Sequence, residues 1–89
     1  MRVENMRSTR SYNRITNQFE IQTDEGVYFQ SYQTVIAFKP ITGKIQLDSS
    51  HWDYSRTTGK YRNMFLDEDK KTTERKIASG EYELVDLNK

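Results

Sequence analysis

The segment Trp52–Leu66, WDYSRTTGKYRNMFL, gathers most of the residue types in this chain that can do chemistry. Its Thr57-Thr58-Gly59-Lys60 step raises phosphate binding. A Walker-type loop needs GxxxxGK followed by Ser or Thr, so that backbone N–H groups curve round the anion and a hydroxyl reaches magnesium. Here one glycine precedes Lys60, and Tyr61 stands where that hydroxyl belongs. Nucleotide hydrolysis by this route is excluded. A helix N-terminus remains, with free N–H groups and a partial positive charge. Ser55, Thr57 and Thr58 would add hydroxyls as anion-binding residues, and Arg56, Lys60 and Arg62 would add charge. The same hydroxyls are good N-caps, so capping alone also accounts for them.

His51 is the only histidine, with Asp48, Asp53, Ser49 and Ser50 beside it. A hydrolytic triad needs a nucleophile aimed by the fold, which adjacency in a loop does not supply. One histidine among carboxylates lacks metal-ligand spacing. The carboxylates Asp67, Glu68 and Asp69 read as a solvated turn between helices. No cofactor or metal is expected, and the chain does not read as an enzyme.

Binding fits the composition better. Six Tyr, one Trp and seven Arg in 89 residues exceed what a small core needs, and these types dominate interface hot spots. The expected partner-binding residues are Trp52, Tyr54, Arg56, Lys60 and Arg62, with the three basic side chains on the outer stripe of a helix. Basic residues at a helix start oppose its dipole, which suggests a use other than stability. Net charge is only +1, so no global field steers the chain onto nucleic acid.

These residues must be positioned by one small domain. Leu, Ile, Val and Phe together number 18 of 89, so aromatic residues must carry much of the burial. Residues 1–17 are polar, with Arg2, Arg7, Arg10 and Arg14 against Glu4 alone. They read as a basic N-terminal arm, with Arg7, Arg10 and Arg14 on one face if it is helical. Residues 18–89 read as the domain. FEIQT alternates as a half-buried strand, and TDEG closes a hairpin. VYFQSYQTVIAFK is β-rich but changes apolar parity midway, which predicts a bulge or bend near Gln30–Gln33. KPITGK is a turn, and KIQLD a third strand. Tyr54, Thr58, Tyr61 and Phe65 form a helical stripe. Asp69 or Thr72 caps a second helix that ends at Gly80, and EYELVDL closes the fold. The expectation is an α+β fold: an antiparallel meander of about four strands, with two short helices between strands three and four. The expected core includes Phe29, Ile36, Phe38, Leu47, Tyr61, Phe65 and Leu84.

The runs FQSYQTVIA, GKIQLD, WDYSRTTGKYRNMFL and SGEYELVDLN, spanning Phe29 to Leu87, resemble a family of small bacteriophage and prophage proteins. The WDYSxTT block is the most specific part, and residues before Phe19 lie outside the resemblance. It implies a phage accessory product in the bacterial host cytoplasm and brings no activity with it. The leading expectation is therefore a protein that binds a host protein or ribonucleoprotein, in its most concrete form an anti-CRISPR-like inhibitor of a defence nuclease. The alternative is a DNA- or RNA-binding module using the helix at 57–66 and the basic arm. No cysteine and no membrane-length apolar run are present, which fits a reducing, non-membrane setting. A monomer or a homodimer paired through a free sheet edge fits equally.

Overall fold

The computed structural model describes residues 1–8 and 10–89. Six strands form one sheet: β1 (Arg2–Arg7), β2 (Arg14–Thr23), β3 (Gly26–Ser31), β4 (Thr34–Pro40), β5 (Gln46–Asp48) and β6 (Glu83–Val85). Their spatial order is the chain order. The first four pairings are antiparallel and β5–β6 is parallel. Helices α1 (Arg56–Leu66) and α2 (Lys70–Ser79) make the crossover between β5 and β6, as a parallel pairing requires. The α+β class is as expected. The strand count is six rather than about four, the sheet is mixed rather than a pure antiparallel meander, and the two helices lie between strands five and six rather than between three and four.

Two readings account for the difference. The long apolar run at 27–39 is two strands, because Tyr32 and Gln33 form a two-residue turn between them. Hairpin turns of this length call for a positive φ that Gly, Asn or Asp supplies cheaply. Here Tyr32 takes φ 56°, so the usual signal is missing. The pairing also shifts between Phe29 and Gln30, and the two together produce the change of parity read as a single bulge or bend.

The second difference is the N-terminal segment. Rather than a loose or helical arm before the domain, residues 2–7 pair with β2 along its length, from Arg2↔Gln22 to Arg7↔Arg14. Met6 is buried in the core and Ile15 packs against it. Polar strands of this kind are hard to see in sequence because only one or two side chains per strand turn inward.

The remaining turns follow local chemistry. Gly26, at φ 148°, closes the β2–β3 hairpin, and a Cβ there would lie 2.2 Å from the Lys39 carbonyl oxygen. Ser55 caps α1 by accepting from the Thr58 N–H. Asp69 caps α2 through Thr72, and Gly80 ends it at φ 83°. These caps are each worth about 1 kcal/mol.

Phe29, Ile36, Ala37, Leu47, Phe65, Leu66, Met6 and Tyr82 form the core, with Trp52, Tyr61, Met64 and Ile77 packed at its margin. Phe38 is buried against Tyr28, ring centroids 4.2 Å apart. Tyr61 is half-buried, and Leu84 is 43% exposed on the edge strand β6. Tyr82 takes the inward place expected of Leu84, because its hydroxyl donates to the Glu68 carboxylate at 2.9 Å. Thr73 and Lys76 also donate to Glu68, at 2.6 and 2.8 Å. This one carboxylate therefore ties α2 and the entry to β6 to the end of α1.

Candidate functional site

Antiparallel order sets which loops meet. The β1–β2 and β3–β4 turns lie at one end of the sheet, and so does the loop leaving β5 toward α1. That end holds the three exposed tyrosines, Tyr12, Tyr32 and Tyr54. The other three, Tyr28, Tyr61 and Tyr82, are buried or half-buried. Aromatic excess is thus sorted by the topology onto one edge of the molecule.

At this end a cleft of about 520 Å³ opens between the β3–β4 turn and the start of α1. Ile36 and Phe19 give it apolar lining, and Asn17, Gln33, Ser55 and Thr58 bring polar groups. Tyr32 and Tyr54 flank it, 57% and 66% exposed. Its frame is fixed by hydrogen bonds. Ser31 and Thr58 hydroxyls meet at 3.2 Å, joining β3 to α1. The Tyr32 N–H donates to the Asn17 carbonyl at 2.7 Å, and Gln30 Nε2 donates to the Tyr32 carbonyl at 2.8 Å. Asn17 and Tyr32 both hold positive φ, 63° and 56°. Asparagine tolerates that region, but for tyrosine it costs about 1–2 kcal/mol.

The Ser55 and Thr58 hydroxyls, expected at an anion site, are engaged in capping α1 and joining it to β3. Thr57 is exposed beside them. The structure brings Ser55, Thr58 and Tyr54 together at the cleft and leaves Trp52 and Arg62 out of it.

Arg62 departs most from its expected place. It is 1% exposed, not on an outer stripe. Its Nη1 donates to the Trp52 carbonyl at 2.8 Å and to Asp53 Oδ1 at 3.2 Å, and Nη2 donates to Asn63 Oδ1 at 2.9 Å. Its guanidinium lies over the Trp52 ring at 5.2 Å. The buried Arg62 and the half-buried Trp52 thus form one unit that anchors the loop entering α1. The guanidinium packs over Gly59, with its terminal nitrogens 3.6 and 3.7 Å from where a Cβ would be, ordinary contact distances.

Arg56 and Lys60 are exposed as expected. They rim a broader groove of about 790 Å³ with Lys70, over Asp53 and Asn63. Lys70 pairs with Asp53 at 2.7 Å. The Lys70 hydrogen bond holds the Asp53 carboxyl below the usual range, outweighing the opposing effect of burial, with Arg62 adding to the shift.

Asp48 and His51 form a close pair, with Nδ1 2.6 Å from Oδ2. Burial raises the Asp48 carboxyl, but donation from the Leu87 N–H, His51 and the Ser50 N–H more than offsets this and leaves it lowered. As a carboxylate it accepts, so Nδ1 carries the proton. No serine or threonine hydroxyl bonds to the imidazole among the described residues. The pair's visible work is to hold the β5 exit to the chain end through Leu87, at 2.8 Å. Among the described residues there is no cluster of three or more His, Asp or Glu placed to hold a metal. Among the described residues no helix is long and apolar enough to cross a membrane.

The architecture is that of a small α+β domain with a framed, aromatic-flanked cleft at one sheet end. By sequence the chain belongs to a family of unknown function, DUF8033, which matches residues 1–81. That match takes in the β1–β2 hairpin as well as the cleft. No curated protein and no solved structure gives a significant match.

Proposed function

We propose that this chain is a non-catalytic binding protein that grips a host protein or ribonucleoprotein through the Tyr32–Tyr54 cleft, with Arg56 and Lys60 at its border. The observation that carries this is Tyr32. A bulky residue sits at a turn position where Asn or Gly costs less, and its ring is left mostly in solvent. Strain of that kind is retained where the side chain has a use. Tyrosine is also a residue that anchors interfaces at small entropic cost. The cleft's size and apolar lining suit one large side chain of a partner.

The resemblance to phage proteins supplies the setting: an accessory product in the bacterial host cytoplasm. Its most concrete form is an anti-CRISPR-like inhibitor of a defence nuclease. The test is interference against a targeted plasmid in cells expressing the chain, beside cells expressing Tyr32→Asn. Asparagine keeps the turn's backbone and removes the ring. Protection by the parent and loss of protection with the variant support the reading. Equal protection by both removes the cleft from it, and no protection against any nuclease tested removes the inhibitor reading.

A nucleic-acid module reading the helix at 57–66 draws less support, because Arg62 is spent inside the fold and only Arg56 and Lys60 remain free on that helix.

A further inference from the structure

Residues 7–14, RSTRSYNR, carry three arginines and no acid. Arg7 and Arg14 are direct cross-strand partners where β1 and β2 enter their turn, and Arg10 lies within that turn. All three are exposed. Like charges facing each other across a ladder are destabilising, and no bridging carboxylate relieves this pair. Glu4, the only acid among residues 1–17, is paired with Arg2 at 3.6 Å. Elsewhere Arg62 and Lys70 pair with Asp53, and Lys76 with Glu68. Among the described residues the hairpin trio makes no ion pair.

The tip also holds Tyr12, at φ 61° and 77% exposed. The Arg7 guanidinium donates to the Tyr12 carbonyl at 3.0 Å, and the Tyr12 N–H donates to the Ser8 carbonyl at 3.0 Å. These bonds tie Tyr12 back to Arg7 and Ser8. They hold its ring on a backbone conformation that disfavours bulky side chains. Residues 14–17 run beyond the last β2–β3 pair, Gln18↔Ser31, so the tip stands clear of the sheet.

We infer that the β1–β2 hairpin tip is a binding site for single-stranded nucleic acid, in which Arg7, Arg10 and Arg14 take the phosphodiester backbone and Tyr12 stacks on an unpaired base. A phosphate between Arg7 and Arg14 removes the repulsion that the free hairpin carries. Arginine suits phosphate oxygens through its planar fork. A flat ring beside a cationic track is the usual means of holding a strand without reading its sequence. A duplex hides its base faces and offers Tyr12 nothing to stack on, so single strands are the preferred form. The site is separate from the Tyr32–Tyr54 cleft and stands or falls apart from it.

The experiment is fluorescence anisotropy of the full chain with a labelled single-stranded oligonucleotide, as DNA and as RNA, and with the matching duplex, across a salt series. Single strands are expected to bind more tightly than duplex, with affinity falling as salt rises. Arg7→Gln, Arg10→Gln and Arg14→Gln together should weaken binding at least tenfold and flatten the log–log salt slope by about 2. Tyr12→Asn, which keeps the left-handed turn, should weaken binding about fivefold and leave the slope unchanged. Melting curves of the same variants should stay close to the parent, the relief of opposed like charges offsetting the lost Arg7 hydrogen bond to the Tyr12 carbonyl. Should the triple variant fail to fold, Arg10→Gln alone decides, because its side chain makes no hydrogen bond among the described residues. The parent not binding, the variants binding like the parent, or duplex binding as tightly as single strands would each overturn the assignment. Loss of binding on Tyr32→Asn with the hairpin intact would overturn it too, by moving the site to the cleft.

Discussion

Arg62 stacks its guanidinium over the ring of Trp52 at 5.2 Å and donates to the carbonyl of that same residue at 2.8 Å. Two residues of hot-spot type thereby pack on each other, Arg62 buried and Trp52 half-buried at the core margin. Arg62 should behave as a structural residue. Arg62→Gln is expected to cost about 3 kcal/mol, since it leaves the Trp52 carbonyl and Asp53 without their buried donor. Arg62→Lys should recover little, because an ammonium lacks the fork that reaches three acceptors. Arg56→Gln with Lys60→Gln should leave the melting temperature within a few degrees. Chemical denaturation of the three variants separates these outcomes.

The β1 strand should be needed for folding. Met6→Ala removes a buried side chain from the core and should cost about 2–5 kcal/mol. Removing residues 1–13 should cost more, because it strips β2 of a whole strand partner. Loss of a cooperative thermal transition is the expected result. A truncated chain that melts like the parent would mean the hairpin is dispensable.

Much of this fold could be read from the chain. The Gly26 hairpin, the caps at Ser55, Asp69 and Gly80, and the inward Phe29, Ile36, Leu47 and Phe65 all follow local rules that the structure obeys. The unreadable parts break those rules. Tyr32 occupies a turn position without a turn residue's chemistry. β1 turns only Met6 fully inward, so its pattern is polar. Arg62 is two residues from Lys60, on the opposite side of the helix, and stands four after Thr58 and three before Phe65, so helical periodicity itself places it on the buried stripe. What the spacing does not announce is how its charge is met, since the acceptors Trp52 and Asp53 lie in a loop ten and nine residues earlier. Of the cleft, Tyr54, Ser55 and Thr58 were legible. Asn17, Tyr32 and Gln33 were not, because they join only through the β2–β3–β4 pairing.

Acid should loosen the α2–β6 corner first. Burial raises the Glu68 carboxyl, but hydrogen bonds from Lys76, Thr73 and Tyr82 outweigh it and leave the group lowered. Asp48 and Asp53 are lowered as well. A carboxyl whose folded pKa is depressed adds stability above its unfolded pKa and loses it as pH falls through the folded value. The melting temperature should therefore be flat near neutrality and fall below about pH 4. Glu68→Gln should lower it at neutral pH and make the acid decline shallower. A parallel acid decline in parent and variant would show that Glu68 does not drive it.

The cleft is tested most directly by using two forms of the chain as bait in a bacterial lysate, with quantitative mass spectrometry of what each retains. One is the parent, and the other carries Tyr32→Asn and Tyr54→Ala, both surface changes, of which the first relieves the strained turn, so the melting temperature should hold or rise. A cleft that grips a partner predicts at least one host protein retained by the parent and reduced at least tenfold, about 1.4 kcal/mol, on the double variant. Its recovery should be unchanged on a control carrying Arg7→Gln, Arg10→Gln and Arg14→Gln in the parent. Identical retention by parent and double variant would contradict a binding site at Tyr32 and Tyr54.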